Sequence, residues 1–122
     1  MALLGMQSGE ASIRLSDAQT GNGDSTNTAF RGSRERPGAV VITSAIGATP
    51  TVTVNIQGSI DGTSFYNIPY TLVGSPETVL YAAIVITTAV TTNYLLPARQ
   101  WRYLKLVYSA NTNVTLTVDA YL

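Results

Sequence analysis

The side chains able to do acid–base or metal chemistry in this 122-residue sequence are few. Histidine and cysteine are absent, and Lys105 is the sole lysine. That removes the imidazole of serine triads and zinc sites, thiolate ligands and disulfides. Seven carboxylates remain: Glu10, Asp17, Asp24, Glu35, Asp61, Glu77 and Asp119. Two of them brought together in space could act as a glycosidase pair. The spacing does not pair them. Four lie in the N-terminal third, Asp61 sits in a turn, Glu77 starts a strand and Asp119 stands among outward threonines. The expectation is a non-enzymatic protein without metal or cofactor.

Weaker motifs lead to the same place. Asn22-Gly23-Asp24-Ser25 is rich in oxygen ligands, but a calcium loop spreads its ligands over about twelve residues and ends on glutamate. Gly21 and Gly23 follow no suitable strand and precede no Gly-Lys-Ser/Thr, so they do not form a phosphate loop. Arginine suits fixed, bidentate contacts with carboxylates. Arg31, Arg34 and Arg36 form one basic cluster, and Arg99, Arg102 and Lys105 a second; both are candidate intersubunit anchors. Among the aromatics, Phe30, Tyr66, Tyr70, Tyr94 and Tyr121 are candidate interface residues, because rings are common at protein contacts and also stack on sugars. Phe65 and Trp101 are expected in the core.

The elements that must position these groups are strands. From residue 38 onward the chain is dense in β-branched residues; it holds 17 threonines and 11 valines in all, types favoured on pleated surfaces. Strands are expected at 39–44, 51–57, 64–68, 77–87 (bent near Ala82 and Ala83), 91–95, 101–109 and 114–122. In 51–57, Val52, Val54 and Ile56 alternate with polar residues, the mark of one buried face. Leu104, Leu106 and Tyr108 alternate with Tyr103, Lys105 and Val107. Val114, Leu116, Val118 and Ala120 do so with Thr115, Thr117 and Asp119. Turns are expected around Gly58, Asp61 and Gly62, where glycine takes positive φ freely and aspartate bonds its own backbone, and again at 110–113. No segment keeps helical spacing for three turns. The expected fold is all-β, an antiparallel β-sandwich of seven or eight strands, jelly-roll-like, with a closed barrel as the alternative.

The chain divides near Pro37. Residues 1–37 hold eight of the fourteen charges and the polar run 20–27, which cannot bury enough apolar surface to fold alone. They are expected as an N-terminal arm, partly extended, able to add a short strand and lie on a neighbour; 38–122 is the sandwich domain. The opening MALLGMQSGEAS lacks the basic region and long apolar run of a signal peptide, and the apolar stretch 79–90 is too short to span a membrane. A soluble protein without Sec export is expected. Charge is balanced and sparse, at 11% of residues against 45% apolar, well below the roughly one quarter usual for a small soluble surface. No field steers nucleic acid. Two readings fit the deficit: part of the surface is buried against partner proteins, or Thr, Ser and Asn do the solvating.

One set of motifs carries a family likeness. Val54-Asn55-Ile56-Gln57-Gly58-Ser59-Ile60-Asp61-Gly62-Thr63-Ser64-Phe65 is an apolar strand followed by Gly-Ser-x-Asp-Gly-x-x-Phe. Leu96-Pro97-Ala98-Arg99, Trp101-Arg102-Tyr103-Leu104-Lys105-Leu106-Val107 and Asn113-Val114-Thr115-Leu116-Thr117-Val118 follow. Over roughly 38–122 the chain resembles small β-sandwich structural proteins of tailed bacteriophages, most of all those that decorate or cement the capsid. Others of that group belong to tail or baseplate parts. The Gly-Ser-x-Asp-Gly turn also occurs in carbohydrate-binding and host-attachment sandwiches.

The resemblance implies a cement subunit made in the host cytoplasm and bound to the outer capsid surface, where it bridges major capsid proteins. It places no catalysis at these positions. Self-association is expected, with a trimer favoured on symmetry grounds and a dimer as the other possibility; neither nucleic acid nor membrane is an expected partner. The alternative is a tail, baseplate or fibre-associated sandwich that binds carbohydrate.

Overall fold

Alternation of β-branched and polar residues makes strands throughout the computed structural model, which describes residues 12–30, 38–97 and 101–122. Ten strands occur there: β1 (Ser12–Gln19), β2 (Gly23–Asp24), β3 (Ala29–Phe30), β4 (Gly38–Ser59), β5 (Phe65–Asn67), β6 (Tyr70–Leu72), β7 (Ser75–Leu80), β8 (Ile84–Ile86), β9 (Thr91–Leu96) and β10 (Tyr103–Tyr121). Every pairing among them is antiparallel. The order is β1-β10-β4-β9-β6-β7, with β2 and β3 also on β10 and β5 and β8 also on β4.

Two expected breaks are absent. The strands expected at 39–44 and 51–57 are one 22-residue strand, β4, and those at 101–109 and 114–122 are one 19-residue strand, β10. They pair from Tyr103↔Ser59 to Tyr121↔Ala39, slipping register only between Ser109 and Val114. Residues 110–113 therefore form a bulge rather than a hairpin turn. Thr49, Ala110 and Asn113 take left-handed φ of 49°, 53° and 55°, which kinks both strands at one level. Side-chain amides satisfy the backbone freed by the slip. Asn113 Nδ2 donates to Ala48 O at 2.5 Å. Asn111 Nδ2 donates to Val114 O at 3.0 Å, and Val114 N–H donates back to Asn111 Oδ1 at 3.1 Å.

The kink folds the sheet over. A 22-residue strand laid straight would span about 70 Å at ~3.3 Å per residue. Yet a Cβ placed on Gly38, at one end of β4, would lie 3.3 Å from the Trp101 ring, and one on Gly58, near the other end, 2.9 Å from Trp101 Cβ. The neighbours change at the kink as well. The first half of β4 pairs with β9 and the second with β5 and β8. The later half of β10 pairs with β1, the earlier half with β2 and β3.

The core fills the fold. Val40 and Ile42 from one half of β4 join Val52, Val54 and Ile56 from the other, with Leu104, Leu106, Leu116 and Val118 of β10. Trp101 is fully buried as expected and donates from Nε1 to Pro97 O at 3.2 Å. Phe65 is only half-buried, because its position opposite Ser59 puts it on the outward side of β4.

Residues 12–30, the described part of the expected arm, run along β10 of their own chain. Leu15 and Ala29 are buried in the core. The polar run that could not fold alone is held by backbone bonds: Ser25 N–H donates to Leu106 O at 2.7 Å, and Asn27 N–H to Leu15 O at 2.9 Å.

Candidate interaction surfaces

Four of the five described carboxylates are engaged in ion pairs or turn hydrogen bonds. Asp17 and Asp119 do meet, but around a cation: Arg14 reaches Asp119 at 2.5 Å and Asp17 at 3.3 Å. The guanidinium, held by Asp119, has its pKa raised above its ordinary value. Asp24 pairs with Lys105 at 3.0 Å. Asp61 Oδ1 accepts from Ser59 Oγ at 3.0 Å, Thr63 N–H at 2.8 Å and Ser64 N–H at 3.0 Å. These bonds stabilise the carboxylate and lower its pKa to about 2. Among the described residues no three His, Cys, Asp or Glu side chains gather to hold a metal, and no helix is long and apolar enough to cross a membrane.

The turn is built from these same residues. Gly62 N–H donates to Ser59 Oγ at 2.9 Å, and Gly62 takes φ 82° with the Tyr103 ring against it. Gly58, expected in the turn, lies instead inside β4, where a Cβ would run into Ile68 and Trp101.

The expected interface residues separate into three groups. Arg31, Arg34, Arg36 and Arg99 lie outside the described residues. Tyr70 and Tyr94 require a correction: both rings are buried, packed edge to face at 5.4 Å. Burial raises both phenol pKa values, and Tyr70 donates to Ala82 O at 2.9 Å. They face inward because β6 and β9 pair through Leu72↔Tyr94 and so bring the two rings together. Phe30, Tyr66 and Tyr121 remain outward, 50%, 43% and 44% exposed. Arg102 is half-buried, and its Nε has no hydrogen-bond partner among the described residues.

Two outward faces result. On the face beyond the kink, Phe30, Tyr103, Ser59 and Phe65 lie in one row across β3, β10, β4 and β5, with Lys105, Gln57 and Asn67 in the next. Its rings are mostly occupied. Phe30 packs on Tyr103 at 5.1 Å, Gly62 lies against the Tyr103 ring, and Lys105 Nζ sits 4.2 Å from the Phe65 centroid. Gln57 and Asn67 hold each other at 3.0 Å.

The other face carries Ser12, Tyr121, Ala39, Leu95 and Thr71 in one row across five strands. At its β6–β7 end a cavity of about 120 Å³ is lined by Pro69, Thr71, Val79, Leu95 and Pro97.

Sequence reasoning missed the exposed apolar residues of the later strands and their connections. Val73, Val79, Tyr81, Val85 and Val90 are all exposed, Tyr81 at 77%. A signal for them was present: residues 62–97 contain one charge, Glu77. Five of the described charges, Arg14, Asp17, Asp24, Lys105 and Asp119, lie on β1, β2 and β10. Comparison of the chain with protein-family models, with curated proteins and with solved structures returned no match.

Proposed function

We propose that this chain is a virion structural protein, a capsid decoration or cement subunit without enzymatic activity that binds the outer capsid surface and bridges neighbouring major capsid proteins. The doubled-over antiparallel sheet is, on this reading, a jelly-roll-like β-sandwich. The observation that carries the proposal is the segment of residues 62–97, with one charge among 36 residues and six exposed large apolar side chains. Such a surface on a small soluble protein is characteristic of one that is covered in use. The resemblance of residues 38–122 to phage cement proteins supplies the partner class. Many copies bound across capsomer seams add interface area without covalent links.

The alternative, a tail, baseplate or fibre-associated sandwich that binds carbohydrate, draws on the row of Phe30, Tyr103 and Phe65 beside Gln57 and Asn67. Sugar stacking needs open ring faces. Lys105 over Phe65, and Phe30 and Gly62 against Tyr103, leave few of them, so the cement reading is favoured.

Co-sedimentation with expanded capsids of the encoding virus tests it. Wild-type protein is expected in the capsid pellet, and Val79→Asp, which puts a charge on this segment without touching the core, is expected to pellet at least tenfold less. Equal pelleting of the two would remove the segment as the contact surface.

A further inference from the structure

Every ladder made by residues 12–30 runs to β10: β1 through Ser12↔Tyr121, Ile13↔Ala120 and Arg14↔Asp119, β2 through Tyr108↔Gly23, and β3 through Tyr103↔Phe30. None runs to β4, β5, β6, β7, β8 or β9. Two of the ladders are short and the third is broken. β2 and β3 are two residues each, and β1 shifts register twice, with Ala18 at φ 52°. The β4–β10 ladder beneath is far longer, with sixteen register positions. Fixation of the arm comes from plugs instead: buried Leu15 and Ala29, and the buried Ser16 and Ser25. Ser16 bonds Tyr108, and Ser25 bonds Leu106.

We propose that in the assembled protein residues 12–30 seat on β10 of a second copy of this chain. The groove along β10 is completed by the arm, since Leu15, Ser16, Ser25 and Ala29 close over Leu104, Leu106 and Tyr108. An arm from either copy makes the same contacts, so exchange costs no interaction and converts a fold contact into an intersubunit one. Short, irregular ladders let the arm leave while β4 and β10 stay paired. Between Phe30 and Gly38 lie seven residues, a reach of at most about 28 Å. The accepting β10 must therefore start within that distance of the donor's Gly38, which confines exchange to closely packed neighbours. The proposal is independent of the capsid assignment: a cement protein with its arm on its own β10 would still bind capsids.

The test uses the full chain, which has no cysteine of its own. Ser12→Cys and Tyr121→Cys sit at paired, exposed positions, within disulfide reach across an antiparallel ladder. The two single variants, with tags of different size, are co-expressed, purified and oxidised with glutathione disulfide. Arg14→Cys with Asp119→Cys repeats the measurement at the next outward register pair. Ser12→Cys with Thr78→Cys, on the far edge strand, gives the collisional background. Exchange predicts a mixed-tag disulfide dimer from at least one matched pair, several-fold above that background. Mixed dimer at or below background for both matched pairs overturns the proposal.

Discussion

Ser16 Oγ and Tyr108 Oη, 92 residues apart in the chain, share a buried hydrogen bond of 2.8 Å. Burial outweighs this bond and pushes the Tyr108 pKa up to about 12. A phenol whose pKa is higher folded than unfolded stabilises the fold fully below its unfolded value near 10, and that contribution falls as pH rises from there through about 12. Urea midpoints are expected to fall as pH rises from 10 through about 12. Tyr108→Phe should cost about 1 kcal/mol at neutral pH and flatten that fall in part, since Tyr70 and Tyr94 are shifted in the same direction.

At the acid end the turn carboxylate contributes. Asp61, lowered to about 2, contributes stability above its ordinary pKa of 3.8 that is lost as pH falls from there through about 2. Asp61→Ala should lower the urea midpoint at pH 7, and its difference from wild type should shrink steadily between pH 4 and pH 2. A difference constant across that range would separate Asp61 from the acid sensitivity of the fold.

Two glycines differ sharply in what surrounds them. A Cβ at Gly58 meets Ile68 and lies 2.9 Å from Trp101 Cβ, whereas Gly74 has open space. Gly58→Ala should cost about 1–3 kcal/mol in urea unfolding, as overpacking does; Gly74→Ala should stay within about 0.5 kcal/mol of wild type.

The kink in the long strands carries backbone strain at Thr49 and Ala110. A left-handed non-glycine residue costs about 1–2 kcal/mol, part of which glycine returns through its freer unfolded chain. Ala110→Gly is expected to raise stability by about 0.5–1 kcal/mol. Asn113→Ala should instead destabilise by about 1 kcal/mol, because it removes the donor to Ala48 O.

The strand faces were legible where alternation was unbroken: Val52, Val54, Ile56 and Leu116, Val118, Ala120 are buried as their period implies. The continuity of β4 and β10 was not. Gly47 with Pro50 and Asn111 with Asn113 carry the same local signals for a turn and for a bulge, and only the partner strand decides between them. Burial of Tyr70 and Tyr94 likewise depends on which strand lies beside which. The seating of residues 12–30 on their own sheet was not legible: Ile13 with Leu15 and Ala29 with Phe30 are apolar spots too short to tell a strand on the chain's own sheet from one on a neighbour. For the interaction surface, the run 62–97 with its single charge, Glu77, was visible in the sequence, but which of its valines face outward was set by the pairing of β6 with β7 and of β8 with β4.

The most direct test of the account is the saturation stoichiometry of the purified chain on expanded capsids that lack it, measured by quantitative gel densitometry of washed pellets. The cement reading predicts saturable binding that levels at a fixed, simple ratio to the major capsid protein. Failure to pellet above a capsid-free control, or uptake that rises without a plateau, would contradict it.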